Sequence, residues 1–126
     1  MQKHVTKRRL LKLAAFLDTL PPEKWDFLHI ITRKNPSRTC GTVCCAIGWT
    51  PVVFPRLIKW KDLFVRSKRA YEIVKEQSQR LFGLSTEQIN LLFIPRVSWN
   101  SESNQLPISA TSTDVANHIR KFCKNL

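Results

Sequence analysis

The sequence predicts a mainly α-helical protein: a compact single-domain bundle of about five helices with a basic loop and one long polar loop. Three observations carry this expectation. Apolar residues recur at helical spacing in several segments, start and stop residues stand at the ends of those segments, and strand-type alternation is almost absent. The chain has 126 residues, 43% of them apolar, with four Trp, seven Phe and only three Gly. A chain of that size buries roughly two-thirds of its unfolded surface in a single core.

Residues 1–7 read as a basic arm. Residues 8–20 then place Leu10, Leu13, Ala14 and Leu17 on one stripe, widened by Leu11, Phe16 and Leu20. This helix stops before Pro21-Pro22, because a residue preceding proline avoids the helical region. Pro22 opens a short helix through Glu23, Lys24 and Trp25. A loop at about 32–39 is marked by Asn35-Pro36-Ser37. From about Thr42 into the low fifties, "TVCCAIGWT" reads as a helix that Pro51 and Pro55 kink or end. Residues 56–66 fit either an irregular basic segment or a short helix.

The second half carries sharper signals. Residues 67–82 put Ala70, Ile73, Val74, Gln77 and Leu81 on one face, and Gly83 stands where a left-handed helix end belongs, followed by apolar Leu84. Ser85 with Gln88 forms a capping box for a helix that ends before Pro95. Residues 96–110 form the polar loop, with an extended piece around Val97 to Trp99. Thr111 with Asp114 caps the last helix, whose inner face is Val115, Ile119, Phe122 and Cys123.

Charge is the extreme feature of the composition. Lys and Arg total 21 against nine Asp and Glu, a net charge of +12, and a field of that sign draws in polyanions whatever the fold. The excess is clustered: Lys3, Lys7, Arg8, Arg9 and Lys12 at the start; Arg33, Lys34 and Arg38 in the first loop; Arg56, Lys59, Lys61, Arg66, Lys68 and Arg69 in the middle; Arg120, Lys121 and Lys124 at the end. Trp60 in "LIKWKDLF" and Trp99 in "PRVSWN" interleave with this charge, as base-stacking rings do. Trp25 and Trp49 read as core. No apolar run approaches the roughly 20 residues a spanning helix needs, and the basic N-terminus lacks a signal-peptide cleavage pattern. A cytoplasmic protein with no membrane partner is expected.

The block "TCGTVCCAIGW" holds three of the four cysteines. Zinc needs paired Cys or His ligands at short spacing, repeated further along. Cys40 and Cys44 supply one pair, but Cys123, His4, His29 and His118 stand singly, so no metal and no cofactor are expected. Cys44 and Cys45 point about 100° apart on a helix and read as small core residues. Cys40, near a helix start, is the one candidate for a reactive thiol. Gly41 and Thr42 suggest a different use: unpaired N–H groups at a capped helix start attract anions, and Arg33, Lys34 and Arg38 lie on the loop just before them. The plainer alternative is a simple N-cap with Gly48 allowing close packing.

"CGTVCCAIGW" and "LFGLSTEQINLLF" together resemble a family of small, mostly uncharacterised bacterial and phage proteins. Its members share a C-G-T-x-x-C-x-x-G-(Trp/His) block and a Phe-Gly-Leu-(Ser/Thr)-x-x-(Glu/Gln) step. The matching pieces here are Leu10 to Leu17, Pro22 to Phe27, Cys40 to Trp49, Phe82 to Phe93, and Val115 onward. Cys45 stands where that pattern has a small residue, and Thr50 where Ala is commoner. The resemblance implies a mainly helical domain of phage or other mobile-element origin, acting in the bacterial cytoplasm. It assigns no activity to a named residue.

The function expected is non-enzymatic binding of a phosphate-rich anion, either nucleic acid or a nucleotide or cyclic-nucleotide signal. A phage protein would use such binding to sequester a host-defence messenger. The site residues expected are Arg33, Lys34, Arg38, Gly41, Thr42, Lys59, Trp60, Lys61 and Arg66. The "GLSTEQI" step is similar to a helix-turn-helix, yet the following helix carries Glu87 and no Lys or Arg, so backbone contacts are expected over major-groove reading. Two other classes compete. One is an inhibitor presenting its basic face to a host protein; the other is a small enzyme acting on a nucleotide through Cys40, His29 or His118.

Overall fold

The computed structural model describes residues 1–27, 45–63, 67–96 and 104–126. These contain five α-helices: α1 (Lys3–Asp18), α2 (Thr50–Val53), α3 (Ala70–Phe82), α4 (Thr86–Phe93) and α5 (Ser112–Lys124). Three 3-10 turns stand between them, at Pro22–Lys24, Ile47–Trp49 and Trp60–Leu63. No strand occurs among the described residues; Arg96 and Pro107 make an isolated bridge. The mainly α expectation holds.

Helix α1 packs chiefly on α5 and secondly on α3. Leu10, Leu13, Ala14 and Leu17 are fully buried, and each such Leu contributes about 1.5–3 kcal/mol by leaving water. The helix begins at Lys3 rather than at residue 8, so the expected basic arm is its first turn. The reason is tertiary. Thr6 Oγ1 donates to the Phe82 carbonyl at 2.7 Å and Arg9 Nη1 to the Leu81 carbonyl at 2.8 Å. Both acceptors belong to the last turn of α3, where helical carbonyls lack partners of their own. Trp25 Nε1, just past α1, donates to the Ala110 carbonyl just before α5. Lys7 lies close enough to α5 to act on the Cys123 thiol, and Asp18 at the other end of α1 pairs with Arg120.

The stretch after Cys45 corrects the single helix expected there. Ile47–Trp49 is a 3-10 turn, α2 is one turn long, and Pro51 lies in its first turn. In a continuous α-helix the Ile47 carbonyl would accept from residue 51, and proline has no N–H to give. The Ile47 carbonyl accepts instead from Thr50, through its N–H and through its hydroxyl at 2.6 Å. Trp49 is core, as expected, with its Nε1 donating to the Lys24 carbonyl. Trp25 is half-buried against the core. Cys45 is buried among these residues.

The local signals of the second half hold. Gly83 ends α3 with φ 62°, its N–H on the Gln79 carbonyl, and Leu84 is buried behind it. Both capping boxes form, Ser85 with Gln88 and Thr111 with Asp114. Val115, Ile119 and Cys123 are buried on α5, and Phe122 packs at the core's edge. The Gln105 amide closes the end of α4 by donating to the Asn90 and Ile94 carbonyls. Arg96 N–H donates to Leu106 O at 2.7 Å, and the extended piece at Val97 to Trp99 lies outside the described residues. In the centre, Phe82 meets Phe54 edge-on at 5.9 Å and stacks on Phe93 at 5.8 Å.

Two stability effects follow. At Gly83 an added Cβ meets the Met1 side chain at 2.7 Å, and φ is left-handed. Gly83→Ala is therefore expected to lower the urea midpoint by an amount corresponding to about 1–2 kcal/mol. Ser78 is fully buried and its hydroxyl has no partner among the described residues. Ser78→Ala removes an unpaired polar group, so thermal unfolding should show unchanged or higher stability, by up to about 1–3 kcal/mol.

Candidate nucleic-acid interface

The sequence-stretch order of α1 decides which of its cations face water. The buried stripe uses Thr6, Leu10, Leu13, Ala14 and Leu17. Lys3, His4, Lys7, Arg8, Leu11, Lys12 and Ala15 are all exposed. At 3.6 residues per turn Arg8, Lys12 and Ala15 lie opposite the stripe, Lys7 lies on its flank, and Lys3 is in line with it at the exposed start of the helix. No acid lies in the first turn. Lys3, Lys7 and Arg8 make no ion pair among the described residues.

Other cations are engaged inside the protein. Arg9 holds the Leu81 carbonyl. Lys68 pairs with Glu76 at 2.5 Å and Arg80 with Asp62 at 3.6 Å. Arg120, counted with the C-terminal cluster in the sequence, forms a close ion pair with Asp18 at the end of α1. Lys121 and Lys124 remain exposed in the last turn of α5, where the helix dipole favours them.

The start of the chain and its middle basic segment meet. Lys12 lies over the Phe54 ring, 5.4 Å from its centroid. A cleft of about 410 Å³ is lined by Lys12, Phe54, Pro55, Arg56 and Leu57. Lys59 Nζ donates to the Pro55 carbonyl at 2.6 Å. A band of cations thus runs from Lys3 along α1 to Lys12, across the Phe54–Leu57 turn to Arg56 and Lys59. Leu11 and Leu57 are exposed within it.

Of the site residues expected from sequence, Lys59, Trp60 and Lys61 are described. Lys59 N–H donates to the Asp62 carboxylate at 2.8 Å, which sets the short turn Trp60–Leu63. Trp60 packs partly buried against the core and Lys61 is exposed. Arg33, Lys34, Arg38, Gly41, Thr42 and Arg66 lie outside the described residues, as do Cys40, Cys44 and His29. The sequence reading left Lys3, Lys7, Arg8, Lys12 and Arg56 off its list of site residues. The signal for two of them was available: Arg8 and Lys12 stand opposite the apolar stripe, whereas Lys3 and Lys7 share its spacing and are exposed near the start of the helix. Arg56 could not be joined to them without the Lys12–Phe54 contact.

The remaining candidates for chemistry are quiet. Burial pushes the Cys45 thiol up to about 11, so almost no thiolate exists at neutral pH. The Cys123 thiol is also raised by burial. Among the described residues no group of three or more His, Cys, Asp or Glu is placed to hold a metal ion. No described helix is long and apolar enough to cross a membrane.

His118 is half-buried on α5, its Nε2 3.1 Å from the Leu91 carbonyl. Burial lowers its pKa from 6.5, the Leu91 carbonyl opposes that, and Lys121 adds to it. A folded pKa below the unfolded value means the unfolded chain takes the proton first. Its contribution is therefore complete above about pH 6.5 and is lost as pH falls below that. His118→Gln keeps a donor for Leu91 but does not titrate. Between about pH 7.5 and about pH 5.5 the urea midpoint of this variant is expected to fall less than that of the wild type. No family model, curated protein or solved structure matches the chain.

Proposed function

We propose that the protein is a non-enzymatic binder of nucleic acid, holding the phosphate backbone along α1 and across the Phe54–Leu57 turn. The observation that carries this reading is the outer half of α1. Arg8 and Lys12 occupy it, exposed Lys7 flanks it and exposed Lys3 extends it at the helix start, with no acid in the first turn. Cations near a helix N-terminus oppose its dipole at a cost of about 0.3–1 kcal/mol each. Lys3, in the first turn, is unfavourably placed for the helix, and like the other three it is exposed to an external anion.

The shape of the band favours a long ligand over a small one. From Lys3 to Lys12 the helix rises about 14 Å, about four phosphate steps of one strand at about 3.4 Å each. The cations are strung out along that length, whereas a small nucleotide asks for convergence on one point. Exposed Leu11 and Leu57 lie among them, where sugar and base edges offer apolar contact. With Lys and Arg meeting phosphate, affinity is expected to be indifferent to base sequence.

The test is a binding isotherm by fluorescence anisotropy over a salt series, using duplex DNA of two unrelated sequences. Affinity is expected to fall steeply with salt, with a log–log slope of about −0.9 per phosphate contacted, and to be equal for the two sequences. Lys7→Gln and Arg8→Gln should each reduce the slope by about 1. Affinity that stays flat between about 50 and about 200 mM salt, or variants that bind like the wild type, would overturn the reading.

A further inference from the structure

A second cleft, of about 460 Å³, opens between α5, Leu91 of α4 and residues 104–106. That volume falls within the range of small-molecule sites, about 300–1,000 Å³. Its walls are of two kinds. Leu91, Leu106 and Phe122 are apolar, and Asn104, Asn125 and Lys121 bring amides and a cation. His118 joins them. Its lowered pKa keeps it neutral at physiological pH, so its Nε2–H donates to the Leu91 carbonyl. Nδ1 is then left as an acceptor. The Asn125 amide nitrogen reaches the Lys121 carbonyl at 3.4 Å, which leaves its oxygen for an incoming donor.

An apolar slot with an aromatic side, amides and a nearby cation matches one chemical class well. A nucleobase is apolar on its faces, carries donors and acceptors on its edge, and has a phosphate attached. We propose that this cleft receives one unstacked nucleotide. The base lies against Phe122, Leu91 and Leu106, its edge meets the amides of Asn104 and Asn125, and its phosphate meets Lys121. The nucleotide comes either from an unpaired position in a nucleic-acid strand or from a free mononucleotide. The first source rests on the backbone-binding function proposed above.

The topology connects the two surfaces. Lys124 follows Lys121 by three residues on α5 and is exposed. Lys7 of α1 is close enough to α5 to influence the Cys123 thiol. A strand lying on α1 therefore passes over the outer face of α5, by Lys124, to reach the cleft. Single strands can deliver a splayed base there, while a duplex keeps its bases stacked inside.

The experiment compares a short single-stranded DNA, its duplex of equal length, and AMP. Anisotropy reports the two DNAs at one salt concentration, and thermal shift reports AMP. The proteins are the wild type, Lys121→Gln, the double variant Asn104→Ala/Asn125→Ala, and, for the AMP measurement alone, Lys124→Gln as a charge control outside the cleft. The wild type is expected to bind the single strand about tenfold more tightly than the duplex and to melt higher with AMP. The double variant should lose both the strand preference and the AMP shift while keeping its duplex affinity. Lys121→Gln should weaken the AMP shift more than Lys124→Gln does. Equal binding of strand and duplex with no AMP shift would overturn the cleft assignment and leave backbone binding standing. An AMP shift abolished by the double variant, with neither DNA bound, would support the cleft as a free-nucleotide site and overturn backbone binding. If no probe binds, both assignments fail.

Discussion

The last carbonyls of α3 are closed by side chains from α1, and the position of nearly every functional candidate follows from that junction. A helix ends with carbonyls that its own backbone cannot satisfy, and burying one unpaired costs about 1–3 kcal/mol. Thr6 and Arg9 supply the missing donors to Phe82 and Leu81. Arg9 also places a positive charge at the negative end of the α3 dipole. Because Phe82 is fully buried and meets both Phe54 and Phe93, the junction sets α1 against the turn that follows α2. Lys12 over Phe54 is a result of this seating. So is the meeting of the α1 cations with Arg56.

Net charge counts every cation alike, but the fold sorts them. Arg9, Lys59, Lys68, Arg80 and Arg120 are taken up by carbonyls or carboxylates of the protein itself. Lys3, Lys7, Arg8 and Lys12 are turned to solvent on one helix. Exposed ion pairs such as Lys68–Glu76 contribute little, about 0–1 kcal/mol, so the sorting matters less for stability than for where the field is strongest. Among the described residues these cations gather on α1, with Arg56 beside Lys12.

What could be read in the sequence was whatever a few neighbouring residues decide. Gly83, the Ser85–Gln88 box and the Thr111–Asp114 box are local devices, and each forms where the sequence places it. The early start of α1 was hidden, because Lys3, His4 and Lys7 carry no apolar period and Thr6 acts through a partner 76 positions away. The break at Ile47–Trp49 was half-visible. Pro51 signalled it, but the hydroxyl of Thr50 decides how the chain copes. For the site, the charge clusters were legible and their grouping was not. Lys12 and Arg56 come together only through Phe54, and Arg120 leaves its cluster only because Asp18 faces it.

The charged face of α1 also sets two demands on the protein against each other. Lys3 and Lys7 stand four residues apart, as do Arg8 and Lys12, and like charges at that spacing cost a helix about 0.2–0.5 kcal/mol per pair. An acid at position 3 would relieve one such pair and satisfy the dipole as well. Any laboratory evolution guided only by heat resistance would thus drift toward acidic substitutions on this helix, gaining a firmer fold while erasing its positive field.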